Sequence, residues 1–103
     1  MKNGKNRMKL NRDGDGYLVD PDDWSVEVMN DMAKADKYLL TDQMVDQIMK
    51  ARVYYEQHSV VPPIRKFAKY IGQEKKAMFD LWMSGPMKPI TKYGGLPKPT
   101  GCV

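Results

Sequence analysis

Few side chains in this sequence have both the type and the spacing to do chemistry, and a thiol comes first. Cys102 is the only cysteine and the second-to-last of 103 residues, in a chain ending GLPKPTGCV. A terminal cysteine is open to oxidants and to partners. With no second cysteine it cannot close an internal disulfide. Gly101 and Val103 are small neighbours, so the sulfur is sterically accessible. Pro97 and Pro99, on either side of Lys98, favour polyproline-type extension, and Gly94-Gly95 reads as a hinge. From Gly95 to Cys102 the tail can reach roughly 22 Å at about 3.1 Å per residue. Hinge, stiff spacer and open thiol together describe a device that reaches out and delivers. An unperturbed thiol titrates near ~8.5. The terminal carboxylate raises that value and Lys98 lowers it, so the sequence shows no self-activation. That points to activation inside a partner's pocket, and to a carrier rather than a stand-alone enzyme.

Two other groups carry less. His58 is the sole histidine, just past a helical stretch where a cation suits the negative helix end. Without cysteine or carboxylate partners it makes a poor metal ligand. Asp13, Asp15 and Gly16 open like a calcium loop, but the twelfth position of that loop is Trp24, not an acid. Turn chemistry accounts for these residues better.

Helices must position the tail. DPDDWSVEVMNDMAK reads as a helix start, with Asp20 or Asp22 as cap and Val28, Met32 and Ala35 at helical spacing. Thr41 caps a second helix that carries Met44, Val45, Ile48, Met49 and Arg52 and runs to about Gln57. Prolines 62 and 63 separate it from a third, with Ile64, Phe67, Ala68 and Ile71 on one face and Gly72 as its stop. A fourth is expected from about Gln73 to Ser84, and MKPITKYGG forms one short helical piece. The nine methionines and the aromatics read mainly as core. At the other end, Asn3-Gly4 and the run Tyr17-Leu18-Val19 after DGDG predict a small N-terminal hairpin. LPKPTGCV has no periodicity and no core to join, so residues 96–103 read as dispensable for folding. The chain divides into a helical domain over 1–93 and a mobile arm over 94–103.

The third and fourth helices around Gly72 form a helix-turn-helix, with Lys75 and Lys76 on the second. That unit could dock in a DNA major groove, or simply pack an all-α domain. Charge sharpens the question of partners. Residues 1–12 carry five bases and no acid, every acid lies between Asp13 and Asp80, and only Lys88, Lys92 and Lys98 follow. Basic ends favour an anionic partner, RNA or an acidic protein groove, or serve solubility alone. No apolar stretch approaches a membrane span and no secretory signal opens the chain, so a cytoplasmic protein is expected.

The tail GLPKPTGCV resembles the C-terminal arm of the TusE/DsrC sulfur-carrier family, which includes the gamma-subunit-like partner of dissimilatory sulfite reductase. DGYLVDPDDW, PPIRKFAKYIG and GPMKPITKYGGLPKPTGCV extend the resemblance over nearly the whole chain. It implies a mainly α fold: a small helical bundle with a helix-turn-helix-like core, an N-terminal β-hairpin and a flexible C-terminal arm. It implies that Cys102 carries a persulfide sulfur between proteins, with no other cofactor. Arg65 matches the family's arginine and is implied to contact the arm or a sulfur intermediate; otherwise it is a surface residue at a helix start. A second cysteine of the sulfite-reductase partner, eleven residues before the penultimate one, is replaced here by Thr91. The chain thus resembles the one-cysteine carriers of the tRNA 2-thiouridine relay, although PTGCV resembles the sulfite-reductase partner's ending more. The implied partners are a sulfur donor complex and an acceptor thiouridylase with tRNA, or a sulfite reductase. No membrane is implied, and the isolated protein is expected to be a monomer.

Overall fold

The computed structural model describes residues 10–99. Five helices account for most of them: α1 (Val26–Ala35), α2 (Asp42–His58), α3 (Ile64–Ile71), α4 (Lys75–Trp82) and α5 (Met87–Gly94). The last is buried against two of the others. Helix α5 packs most extensively on α2 and then on α1, while α3 packs on α4 and α2. Met87 and Ile90 are fully buried, and Tyr93 nearly so. Around them lie Met29 and Met32 of α1, Ile48 and Ala51 of α2, Phe67 of α3, and Met78 and Trp82 of α4. The indole N–H of Trp82 donates to the Gln47 side-chain oxygen at 2.8 Å, which satisfies both polar groups inside the core.

Local chemistry sets the boundaries. Ser25 caps α1, its hydroxyl accepting from the Val28 amide at 3.0 Å. The expected caps, Asp20 or Asp22, serve elsewhere: Asp20 opens a separate 3-10 turn over Pro21–Asp23. Trp24 lies between the two elements in extended conformation, where its ring is needed against α5. Ala35 faces solvent, and Met29 and Ala33 fill the buried stripe instead. Thr41 caps α2 as expected, accepting from Met44 at 3.2 Å. Gly72 stops α3 in the left-handed conformation at φ +72°. The Gln73 amide then bonds back to Ala68, so Gln73 belongs to that stop and α4 begins only at Lys75. Of the methionines described, five are buried, while Met49 and Met83 are exposed.

The N-terminal hairpin contracts to a turn. Asn3 and Gly4 lie outside the described residues. Among those described there is no strand, only one antiparallel bridge between Arg12 and Leu18. The side chains that would extend a ladder turn to the helices. Tyr17 is buried, and Arg12 forms a two-pronged ion pair with Asp36 at 2.8 and 3.2 Å. Asp13 acts as a turn former, its carboxylate accepting from the amides of Asp15 and Tyr17. Those bonds hold its pKa below the usual carboxylate range, the Tyr17 amide most of all.

Candidate functional site: the root of the cysteine arm

The thiol of Cys102 and its neighbour Gly101 lie outside the described residues. The stretch that launches them is in view, from the end of α5 to Pro99. The last carbonyls of a helix have no partner within it, and here side chains from two other elements supply them. The Trp24 indole N–H donates to the Tyr93 carbonyl at 2.7 Å. The Arg52 guanidinium, reaching across from α2, donates to the Gly94 carbonyl. Arg52 also lies over the Trp24 ring, 3.7 Å from its centroid. Burial pulls the Arg52 pKa down, against the opposing charge of Glu56 one turn along α2.

Gly94 and Gly95, expected as a hinge, are both buried. Gly95 closes α5 at φ +67°, and a Cβ there would stand 2.7–2.8 Å from three side-chain atoms of Trp24. Gly94 sits against Ile48, where a Cβ would come within 3.2 Å. The glycines therefore permit close approach rather than rotation. Leu96 follows them into the core at 6% exposed, its amide bonded to Thr91. This overturns the expectation that everything from Leu96 onward has no core to join: an isolated apolar residue leaves no periodic trace, yet Leu96 belongs to the main hydrophobic core. Burial extends past the expected domain edge at residue 93.

Exposure begins at Pro97. Lys98 is half exposed and forms ion pairs with Asp15 at 2.7 Å and Asp13 at 3.2 Å. Its ammonium also stands 5.6 Å from the Tyr17 ring centroid. Both carboxylates raise the Lys98 pKa, Asp15 foremost. Pro99, with Asp15, Tyr17, Lys88, Lys92 and Lys98, lines a hollow of about 400 Å³. Beneath lies Thr91, fully buried, its hydroxyl 2.8 Å from the Tyr17 hydroxyl and donating to the Met87 carbonyl at 2.7 Å.

Arg65 is exposed on the first turn of α3, and among the described residues the structure gives it no hydrogen bond or ion pair to residues 94–99. The arginine at the root of the arm is Arg52. Its one sequence signal is a cation on the apolar face of α2, one turn from Ile48. Trp24 shows no local signal of its role. His58 ends α2 with its ring 4.3 Å from that of Tyr54. The α3–Gly72–α4 unit is present, with Lys75 and Lys76 exposed on α4.

Comparison with known proteins shows which family the chain resembles. A family model described as DsrC like protein matches residues 4–103. The sulfurtransferase TusE of Buchnera aphidicola subsp. Schizaphis graminum is 33% identical over 102 residues, 92% of this chain and 90% of that protein. The dissimilatory-type sulfite reductase subunit gamma of Nitratidesulfovibrio vulgaris is 35% identical over 94 residues, 88% of each chain. The solution structure of Allochromatium vinosum DsrC superposes with a TM-score of 0.74 at 39% identity, covering 89% of this chain and 88% of that one.

Proposed function

This chain belongs to the DsrC-like protein family, and from that premise we propose that it is a sulfur carrier whose working group is Cys102. One observation carries the reading: the chain's only thiol stands at the end of a tail that leaves a firmly held root. The Cys102 thiolate attacks the outer sulfur of a donor persulfide. A bond forms between Cys102 Sγ and that sulfur, the donor S–S bond breaks, and the donor leaves as a thiolate. The outer sulfur on Cys102 is then attacked by an acceptor thiolate, and Cys102 leaves as a thiolate in turn. No net oxidation occurs and no resident cofactor is needed. The similarity to TusE sulfurtransferases, together with the single cysteine, favours a relay toward tRNA thiolation, with a donor complex on one side and a thiouridylase on the other.

A second reading keeps the chemistry and changes the partner: a sulfite-reductase-like or sulfur-oxidising system. The similarity to a sulfite reductase gamma subunit and the ending PTGCV favour it. With Thr91 in place of a second cysteine, the monomer closes no internal disulfide or trisulfide in either case. Intact mass tests the common core. Incubated with a cysteine desulfurase and relay proteins, the chain should gain about one sulfur atom, removed again by reductant as for a reversible cap. The same gain in Cys102→Ser would sink the proposal. A helix-turn-helix regulator would instead bind specific duplex DNA with steep salt dependence, unaffected by Cys102→Ser.

A further inference from the structure

We propose that Arg52, with Trp24 beneath it, is a positioning residue that sets the direction in which the cysteine arm leaves the body. The argument begins with the two glycines. Gly95 is required because Trp24 approaches too closely for a Cβ, and at Gly94 the Ile48 side chain would have to give way for one. A pair of glycines also has little intrinsic resistance to rotation just before the chain becomes exposed at Pro97, so its rigidity depends on what packs against it. Something has to cancel that freedom if the arm is to leave in one direction. The structure shows what does. The Tyr93 and Gly94 carbonyls, the last two of α5, are each held by a side chain from a different element, Trp24 and Arg52. The two holders are locked together by the stack of guanidinium on indole.

Arg52 suits this task because its planar head can donate in its own plane while lying flat on a ring, which an ammonium cannot do. Burial opposes its charge, so the site keeps a cation where an apolar side chain would fill the space more easily. Glu56, on the same helix, is the charge that opposes this loss. Lys98 acts further along and in the open, through its ion pairs with Asp13 and Asp15 and its place by the Tyr17 ring. High salt screens those exposed pairs while leaving the half-buried clamp in force. The two constraints can therefore be separated.

The inference rests on the carrier reading for its purpose but not for its test. Lys76→Cys, on the exposed face of α4, provides a second labelling point beside native Cys102. Nitroxide labels on both then report the arm's direction as a distance distribution by pulsed electron paramagnetic resonance. At about 0.5 M salt, where the Debye length is only a few ångströms, the otherwise native chain should keep a structured distribution. Arg52→Gln should broaden or displace it, and Arg52→Lys should restore it only in part. Alkylation of Cys102 by a small reagent should proceed at the native rate in both variants. Sulfur delivery to a partner should slow about tenfold in Arg52→Gln, as expected when a reacting group is misplaced. If Arg52→Gln does not fold, Arg52→Lys decides by the same distances. Distributions matching the native one in the folded variants would overturn the proposal. A native chain that takes up no sulfur would overturn the carrier reading instead, leaving the distances to judge the clamp.

Discussion

Residues 94–96 and 97–99 are adjacent, equally short and equally lacking in periodicity, yet they belong to different physical regimes. Gly94, Gly95 and Leu96 are buried and held by Trp24, Arg52 and Ile48. Pro97 and Lys98 are exposed, and solvent-exposed ion pairs of Lys98 with Asp15 and Asp13 help tie this stretch to the body. The first group is held by several close contacts at once, the tightest of them between Gly95 and Trp24. The second depends on an interaction that salt screens and side-chain entropy opposes. The junction is packed as far as Leu96 and exposed from Pro97, which suits the carrier role proposed for the tail.

Breaking the rigid side should have the largest effect. Gly95→Ala must place a methyl against Trp24 at a left-handed φ. Strain and overpacking together should cost on the order of 3 kcal/mol, visible as a large drop in denaturant midpoint. A native-like midpoint would mean that Trp24 can swing away and that the root is looser than described.

Truncation places the boundary. Removing residues 97–103 should leave stability within about 0.5 kcal/mol, as for surface changes. Removing residues 96–103 should cost about 2–4 kcal/mol, because the Leu96 side chain leaves a cavity. Equal stabilities for the two would erase the distinction between the two halves of the tail.

The yielding side should respond weakly. Lys98→Ala should change stability by less than about 1 kcal/mol while altering the arm's label distances at low salt and not at high salt. Acid provides a related and still smaller test. Asp13 and Asp36 both titrate below their ordinary range, Asp13 chiefly through the Tyr17 amide and Asp36 chiefly through Arg12. A carboxylate with a depressed folded-state pKa contributes stability that is complete above its unfolded pKa and lost as pH falls through the folded value. On account of these two carboxylates, stability should decline below about pH 4 after a plateau that begins at about pH 5 and extends through neutral pH. Asp36→Asn should reduce that decline. An acid dependence unchanged in Asp36→Asn would show that the Arg12–Asp36 pair is not what acid breaks.

Much of this molecule is legible in its amino-acid sequence. The spacing of Ile64, Phe67, Ala68 and Ile71, the stop at Gly72 and the cap at Thr41 are local signals, each decided within a few residues by helix periodicity and backbone chemistry. Cys102 is legible for the same reason: a lone thiol next to the chain end needs no fold to be noticed, and the motifs around it place the chain in its family. The roles of Trp24, Arg52 and Leu96 are not legible there. Trp24 meets a carbonyl 69 positions away and Arg52 one 42 positions away, and side-chain type alone does not say which carbonyl an indole or a guanidinium will meet. Leu96 joins a core whose other members come from distant parts of the chain. The glycines show the division most plainly. Sequence determined that Gly94-Gly95 lacks side chains and so admits conformations other residues resist. Only tertiary packing decided the use of that freedom, because the ring of Trp24 and the methyl of Ile48 occupy the space a side chain would need, and turn an apparent hinge into a fixed root.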